Sequence, residues 1–149
     1  MRIVLQRVSA ASVTVDGQVV GEIERGLLAL VGIARGDERS TVDRMVKKTA
    51  ELRIFDDEAG KMNLSVTDVG GSVLAVSQFT LLADTRRGRR PAFTDAAEPT
   101  IAESLYEHYC DGLANFELPV QKGIFAADMR VSLVNDGPVT IVLETEPSR

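Results

Sequence analysis

Four short stretches of this chain carry side chains or main chain that could do chemistry. In Ser77-Gln78-Phe79-Thr80-Leu81, a mostly apolar run of eight (SVLAVSQF, 72–79) runs out into two hydroxyls and an amide. A strand end can present such groups, with freed backbone N–H groups, from a rigid base. The competing reading is a strand end whose hydroxyls cap its own backbone. DTRRGRRP, 84–91, gathers Arg86, Arg87, Arg89 and Arg90 around Gly88. Arginine forks match phosphate oxygens, so this is either a phosphate-reading loop or a solvated one balanced by Asp84 and Asp95. In GIFAADM, 123–129, Phe125 and Met129 could stack on a nucleobase while Ala126 and Ala127 let a flat ring approach. An aromatic and a methionine beside a loop are more often a piece of satellite core. Lastly, VSLVNDGPVTIVLE (131–144) sets Gly137 and Pro138 between two alternating flanks. Asp-Gly signals a hairpin, but the proline removes an N–H from the returning strand. The stretch is either a plain corner or a fixed piece of backbone with a job, and its Gly-Pro bond can be cis.

Counting excludes much else. Cys110 is the only cysteine and His108 the only histidine in 149 residues. That leaves no intrachain disulfide, no Cys/His metal cluster, no Ser/His/Asp or Cys/His machinery, and no motif for a cofactor. His108, beside Tyr109 within a helical pattern, reads as structural. A net charge of −5 and a pI near 4.9 argue against DNA or any nucleic acid held by overall charge, so an RNA contact must be local. With neither a signal-like start nor an apolar run approaching ~20 residues, the expectation is a soluble, cytoplasmic protein without a membrane partner.

The elements that must hold these stretches follow from periodicity. Residues 2–8, 12–15, 18–24 and 27–34 read as strands, with Asp16-Gly17 a hairpin turn. Ser40 and Asp43 form a loose capping box for a helix over 40–54 whose inner face is Val42, Met45, Val46, Thr49 and Leu52. DDEAGK (56–61) and VGGS (69–72) are turns, and 72–79 is a buried strand. Pro99 opens a helix to about 113 along Ile101, Leu105, His108, Tyr109 and Gly112 or Leu113. Strands near 118–122, 128–135 and 138–145 close the chain. One domain over 1–149 is expected, of class α+β, with a mostly antiparallel, barrel-like β-sheet and two main helices.

Taken together, QRV (6–8), RIFDDEAGKMN (53–63), SQFTL (77–81), GIFAADM (123–129) and VNDGPVT (134–140) closely resemble the bacterial D-aminoacyl-tRNA deacylases over essentially the whole chain. The resemblance implies a homodimer that hydrolyses the ester joining a D-amino acid, or mischarged glycine, to the terminal adenosine of tRNA. It implies that Gly137 and Pro138, joined by a cis bond, enter the partner's active site and leave no space where an L side chain would point. Arg7 would hold that loop, and Phe125 and Met129 would contact the adenine. A rigid wall at Cα tests handedness without reading the side chain. Thr80 is the candidate nucleophile by position but lacks a base. The preferred alternative is an oxyanion site from the N–H groups of Phe79 and Thr80, with the ribose 2′-hydroxyl orienting water and Gln78 and Ser77 holding the ribose or carbonyl. Two other readings stay open. One is a non-catalytic tRNA 3′-end binding protein using Arg86 to Arg90 and Phe125; the other is an L-alanyl-tRNA hydrolase, which needs the Gly-Pro bond trans.

Overall fold

In a computed structural model, described here over residues 1–145, the chain folds as β1 (Arg2–Val15), β2 (Gln18–Ile23), β3 (Gly26–Gly32), α1 (Arg39–Glu51), β4 (Phe55–Asp56), β5 (Met62–Leu64) and β6 (Ser72–Ser77). A 3₁₀ turn (Phe79–Leu82), α2 (Pro99–Ala114), β7 (Val120–Lys122) and β8 (Arg130–Glu144) follow. β1 pairs antiparallel with β2, β3 and β8, whereas β3–β6 and β6–β7 are parallel, each reached by a crossover that carries one helix. The α+β class and the mostly antiparallel, barrel-like sheet hold, and the two parallel pairings are what the sequence reading lacked. The sheet curls until β2 meets β7: a Cβ on Gly21 would lie 2.8 Å from the Lys122 carbonyl oxygen.

The two strands expected at 2–8 and 12–15 are one. Ile3 and Leu5 point into the core under the helices, whereas Val8, Ala11 and Val13 point into a second core inside the curled sheet. The alternation changes phase because the register against β8 slips between Gln6 and Val8 and again between Val8 and Ala10. Such bulges bend a strand and re-aim its side chains. One edge of β1 therefore serves β3 over Arg2–Val8 and then β2 over Ala11–Val15. The two strands expected near 128–135 and 138–145 are likewise one, β8.

β3 and β6 are buried on both faces, with Leu27, Ala29, Val73 and Ala75 toward the helices and Leu28, Leu74 and Val76 toward the inner core. α1 is capped two residues before the expected Ser40: the Glu38 N–H donates to the Thr41 hydroxyl at 3.2 Å, completing a reciprocal capping box. It ends at Glu51, so Leu52 caps rather than extends the helix. α2 keeps its proline start, but its buried face is Ala102, Leu105, Tyr106, Tyr109, Cys110 and Leu113. Ile101 is exposed, and His108 lies outside the core, its Nε2 2.7 Å from the Asp43 carboxylate on α1. A hydrogen bond of 3.0 Å between Thr49 and Tyr109 hydroxyls joins the helices inside the core. Among the described residues no helix is long and apolar enough to cross a membrane, and no His, Cys, Asp and Glu cluster could hold a metal ion.

Candidate active site

β3 and β6 run parallel, so their C-terminal ends emerge together. The ladder's last bond there is Gln78 N–H to Val31 O, 2.8 Å. The strand stops at Ser77, two residues earlier than the apolar run suggested, because the chain then tightens: Leu81 N–H bonds Gln78 O at 3.3 Å and Ala83 N–H bonds Thr80 O at 3.1 Å. Arg2, from the start of β1, fixes the turn by donating from Nη1 to Leu81 O at 2.5 Å. A helical turn leaves its first N–H groups without internal acceptors. Among the described residues the N–H groups of Phe79 and Thr80 accordingly have no partner. They form a pair of fixed donors at a strand end.

These donors lie at a cavity of about 780 Å³. Ser77, Gln78, Phe79 and Thr80 line one part, and Phe125, Ala126, Ala127 and Met129 line another. The structure thus unites two stretches separated by more than forty residues of sequence. The second stretch is tied to β6 by Gly123 N–H to Ala75 O at 3.1 Å, and the Phe125 ring rests against Tyr106 with centroids 6.3 Å apart. Tyr106 donates its hydroxyl to the same Ala75 carbonyl at 2.6 Å, so one residue of β6 anchors both. Phe125 and Met129 are half-buried, with surface left for a ligand.

The Thr80 hydroxyl accepts a hydrogen bond from the Gln78 side-chain amide at 3.2 Å. An amide nitrogen is a donor and cannot take a proton, so this contact orients the hydroxyl without activating it. Cys110 offers no substitute nucleophile, since burial pushes its thiol up to about 12. The same cause raises the buried phenols of Tyr106 and Tyr109. The cavity lining thus combines unpartnered main-chain N–H, hydroxyl and amide groups, able to bind and polarise a carbonyl, with apolar surface and the charged residues Arg35, Glu98 and Asp128.

Several lining residues had escaped sequence reasoning: Ile33 and Arg35 beyond β3, Phe93, and the segment Ala96 to Pro99 that opens α2. The signal for Ile33 and Arg35 was the parallel pairing of β3 and β6, since clefts form at the carboxyl ends of adjacent parallel strands.

Gly137, Pro138 and Arg7 do not line this cavity, and neither do the four arginines. Gln6 pairs with Thr140 and Val8 with Asn135, so Asp136, Gly137, Pro138 and Val139 stand opposite the single residue Arg7. The excess chain bulges outward, leaving Asp136, Gly137 and Pro138 exposed. Gly137 sits at φ +151, and a Cβ there would lie 2.8 Å from the Val139 nitrogen. The Gly137–Pro138 bond is cis. Beneath the bulge, the buried Arg7 guanidinium donates to Asp136 O at 2.8 Å and Ile54 O at 2.9 Å, with the Asp56 carboxylate at 3.5 Å. Asn135 closes the neck by accepting from Val139 N–H at 2.7 Å and donating to the Thr140 hydroxyl at 3.1 Å.

The arginine loop is closed at its neck by Asp84 and Ala92, which exchange N–H···O bonds of 2.7 and 2.9 Å. The four arginines are not equivalent. Arg86 forks onto Asp84 at 2.9 and 2.8 Å, and that contact holds the Asp84 carboxyl down to about 2. Arg87, Arg89 and Arg90 are exposed, with no ion pair among the described residues.

Known proteins resemble this chain in sequence and in fold. The sequence model of D-Tyr-tRNA(Tyr) deacylase matches residues 4–144. The D-aminoacyl-tRNA deacylase of Rhodopirellula baltica is 63% identical over 144 residues, 97% of this chain and 99% of that protein. That of Magnetococcus marinus is 59% identical over 148 residues, 99% of this chain and 98% of its own. The solved structure of the c-Myc DNA unwinding element binding protein superposes with a TM-score of 0.92 at 41% identity, covering 98% of this chain and 99% of that one. A probable eukaryotic D-amino acid tRNA deacylase shares the fold at TM-score 0.83 and 16% identity, covering 95% and 97%. With a match spanning nearly every described residue and both cavity-lining stretches inside it, the chain belongs to the D-Tyr-tRNA(Tyr) deacylase family.

Proposed function

We propose that the cavity binds the aminoacylated 3′ end of tRNA and hydrolyses the ester of D-aminoacyl-tRNA, releasing the free D-amino acid and tRNA. The observation that carries this reading is the meeting of Ser77–Thr80 with Phe125–Met129 around one cavity that presents two unpartnered N–H groups. Phe125 and Met129 hold the terminal adenine. Gln78 and Ser77 hold the ribose or the ester carbonyl, and the arginine loop meets phosphates. Water attacks the carbonyl carbon, oriented by the ribose 2′-hydroxyl. The resulting oxyanion is stabilised by the N–H groups of Phe79 and Thr80, and the C–O bond to the ribose 3′-oxygen breaks with transfer of the water's proton to that oxygen. An ester is already an activated acyl group, so positioning and oxyanion stabilisation suffice without an enzymic nucleophile.

Handedness is tested by Gly137 and Pro138 of a second subunit, whose main chain fills the space an L side chain would need. Glycyl-tRNA, having no side chain to exclude, is also hydrolysed. Two observations support a homodimer in which the bulge crosses over. The bulge stands outside its own chain's cavity, and β8 is a 15-residue edge strand that exposes Val134 and Val142 at 59% and 57%. A long apolar edge of this kind is a template for pairing with another chain.

Incubation with D- and L-tyrosyl-tRNA tests the reading. Release from the D form alone is expected, together with release of glycine from glycyl-tRNA. Equal release from both enantiomers would overturn the handedness test. Retention of intact tRNA with release from neither would leave the inert 3′-end binder.

A further inference from the structure

Binding a terminal adenosine leaves two features at the cavity mouth unused. The rings of Phe79 and Phe93 meet edge to face, with centroids 5.1 Å apart and planes at 73°, yet the two residues are 56% and 36% exposed. The chain between them is the arginine loop: it leaves Phe79 through the 3₁₀ turn, passes the neck at Asp84 and Ala92, and returns at Phe93. Arg86 is neutralised within the loop by Asp84, and Arg87, Arg89 and Arg90 project without an ion pair among the described residues. Exposed aromatic faces beside clustered cations are the elements of a single-strand track, since every base offers a π-face and every linkage a negative phosphate. A chain of net charge −5 that gathers arginines at one loop has the charge complementarity for a polyanion there and little elsewhere.

We infer that the Phe93 ring, braced edge to face by Phe79, stacks the base of the nucleotide preceding the terminal adenosine, and that Arg87, Arg89 and Arg90 take backbone phosphates further along the same 3′ single strand. This deepens the deacylase reading above and rests on it. The cavity recognises the aminoacyl nucleoside; the rings and arginines recognise what makes that nucleoside the end of an RNA. Arg86 belongs to the frame of the loop and reads no phosphate.

The test compares D-tyrosyl-tRNA with 3′-O-(D-tyrosyl)adenosine, which has no preceding nucleotide. Phe93→Leu removes the stacking face and keeps an apolar side chain. It is expected to raise KM on the tRNA on the order of tenfold more than on the nucleoside, with kcat nearly equal. Phe93→Tyr restores the tRNA value. Replacing Arg87, Arg89 and Arg90 together by Gln flattens the dependence of log KM on log salt by roughly 2, at ~0.7 for each single-strand phosphate contact. Equal losses on both substrates, an unchanged salt slope, or a change of sedimenting mass in Phe93→Leu would each overturn the inference, the last by assigning the rings to a subunit interface. A wild-type enzyme that hydrolyses both substrates with equal kcat/KM sinks this inference alone. One that hydrolyses neither sinks the deacylase reading, and the inference with it.

Discussion

The cavity at the end of β6 and the bulge in β8 are both built from main chain, with opposite shape and polarity. The first is concave and offers donors, because the 3₁₀ turn starting at Phe79 leaves two N–H groups without acceptors. The second is convex and short of donors: Pro138 has no N–H, and the Val139 N–H is held by the Asn135 side chain at 2.7 Å. The two are also rigid for different reasons. The cavity wall is braced from behind by β3 and by Arg2, whereas the bulge is held from below by Arg7, whose buried guanidinium ties Asp136 to the carbonyl of Ile54. On the deacylase reading, the donor surface meets the charge that develops at the ester oxygen, and the acceptor surface of a second subunit faces the substrate's α-amino group. Chemistry and selectivity then reside in different segments, which substitutions can separate.

The largest effect is expected where the donors are removed. Phe79 is the first residue of its turn, and Gln78 before it is already extended (φ −143, ψ 89), so a proline at 79 meets little steric resistance. Phe79→Pro deletes one N–H along with the ring, and Phe79→Ala deletes the ring alone. Losing one oxyanion donor costs about 10²–10³ in kcat. Phe79→Pro should therefore turn over D-tyrosyl-tRNA that much more slowly than Phe79→Ala, with circular dichroism unchanged. If the two variants were equally active, the oxyanion site would have to lie elsewhere.

The bulge gives the next effect. Gly137→Ala puts a Cβ 2.8 Å from the Val139 nitrogen at a φ of +151 that L side chains rarely adopt, so the corner must shift. Misplacing a positioning element by about 1 Å costs on the order of 10²-fold in rate. The expected signature is a fall in kcat/KM on the D substrate together with a rise in the ratio of L to D turnover. Phe79→Pro, in contrast, should lower turnover and leave that ratio alone. A Gly137→Ala enzyme with an unchanged L to D ratio would detach handedness from this corner.

How much of this was legible in the sequence differs between the two regions. Ser77–Thr80 and Phe125–Met129 could be picked out as polar and aromatic exceptions within apolar runs, because exceptions to a strand pattern are visible locally. That they share a cavity was not visible, since it depends on the parallel pairing of β3 with β6, and an apolar run does not state its partner's direction. The bulge was visible as a fault at Gly137 and Pro138, but its cause lies in β1, where four residues of β8 face Arg7 alone. Register slips of this kind also concealed that 2–8 and 12–15 are one strand, since the inward set moves from Ile3 and Leu5 to Val8, Ala11 and Val13. The helix faces were misjudged at Ile101 and His108 because α2 packs through Tyr106, Tyr109 and Cys110 against α1 and β6, a contact that only the assembled layers define. The arginines were read as a set, and it took Asp84, two residues away, to separate Arg86 from the rest.

The smallest effect is expected at the residue that position alone makes the most inviting. Thr80 sits at the cavity with an exposed hydroxyl, but its one described partner is the Gln78 amide, a donor that cannot accept a proton. Thr80→Ala removes that hydroxyl and keeps the main-chain N–H. A hydroxyl that only helps to orient a neighbour contributes about one ordinary hydrogen bond, ~0.5–1.5 kcal/mol, or less than roughly tenfold in kcat. A nucleophile would cost several orders of magnitude more and would leave an acyl-threonine detectable by mass spectrometry after rapid quenching. Substantial activity in Thr80→Ala beside near-complete loss in Phe79→Pro would place catalysis on the backbone of the turn. The reverse order, with a trapped acyl-enzyme, would return it to the side chain and remove the contrast between donor cavity and acceptor bulge.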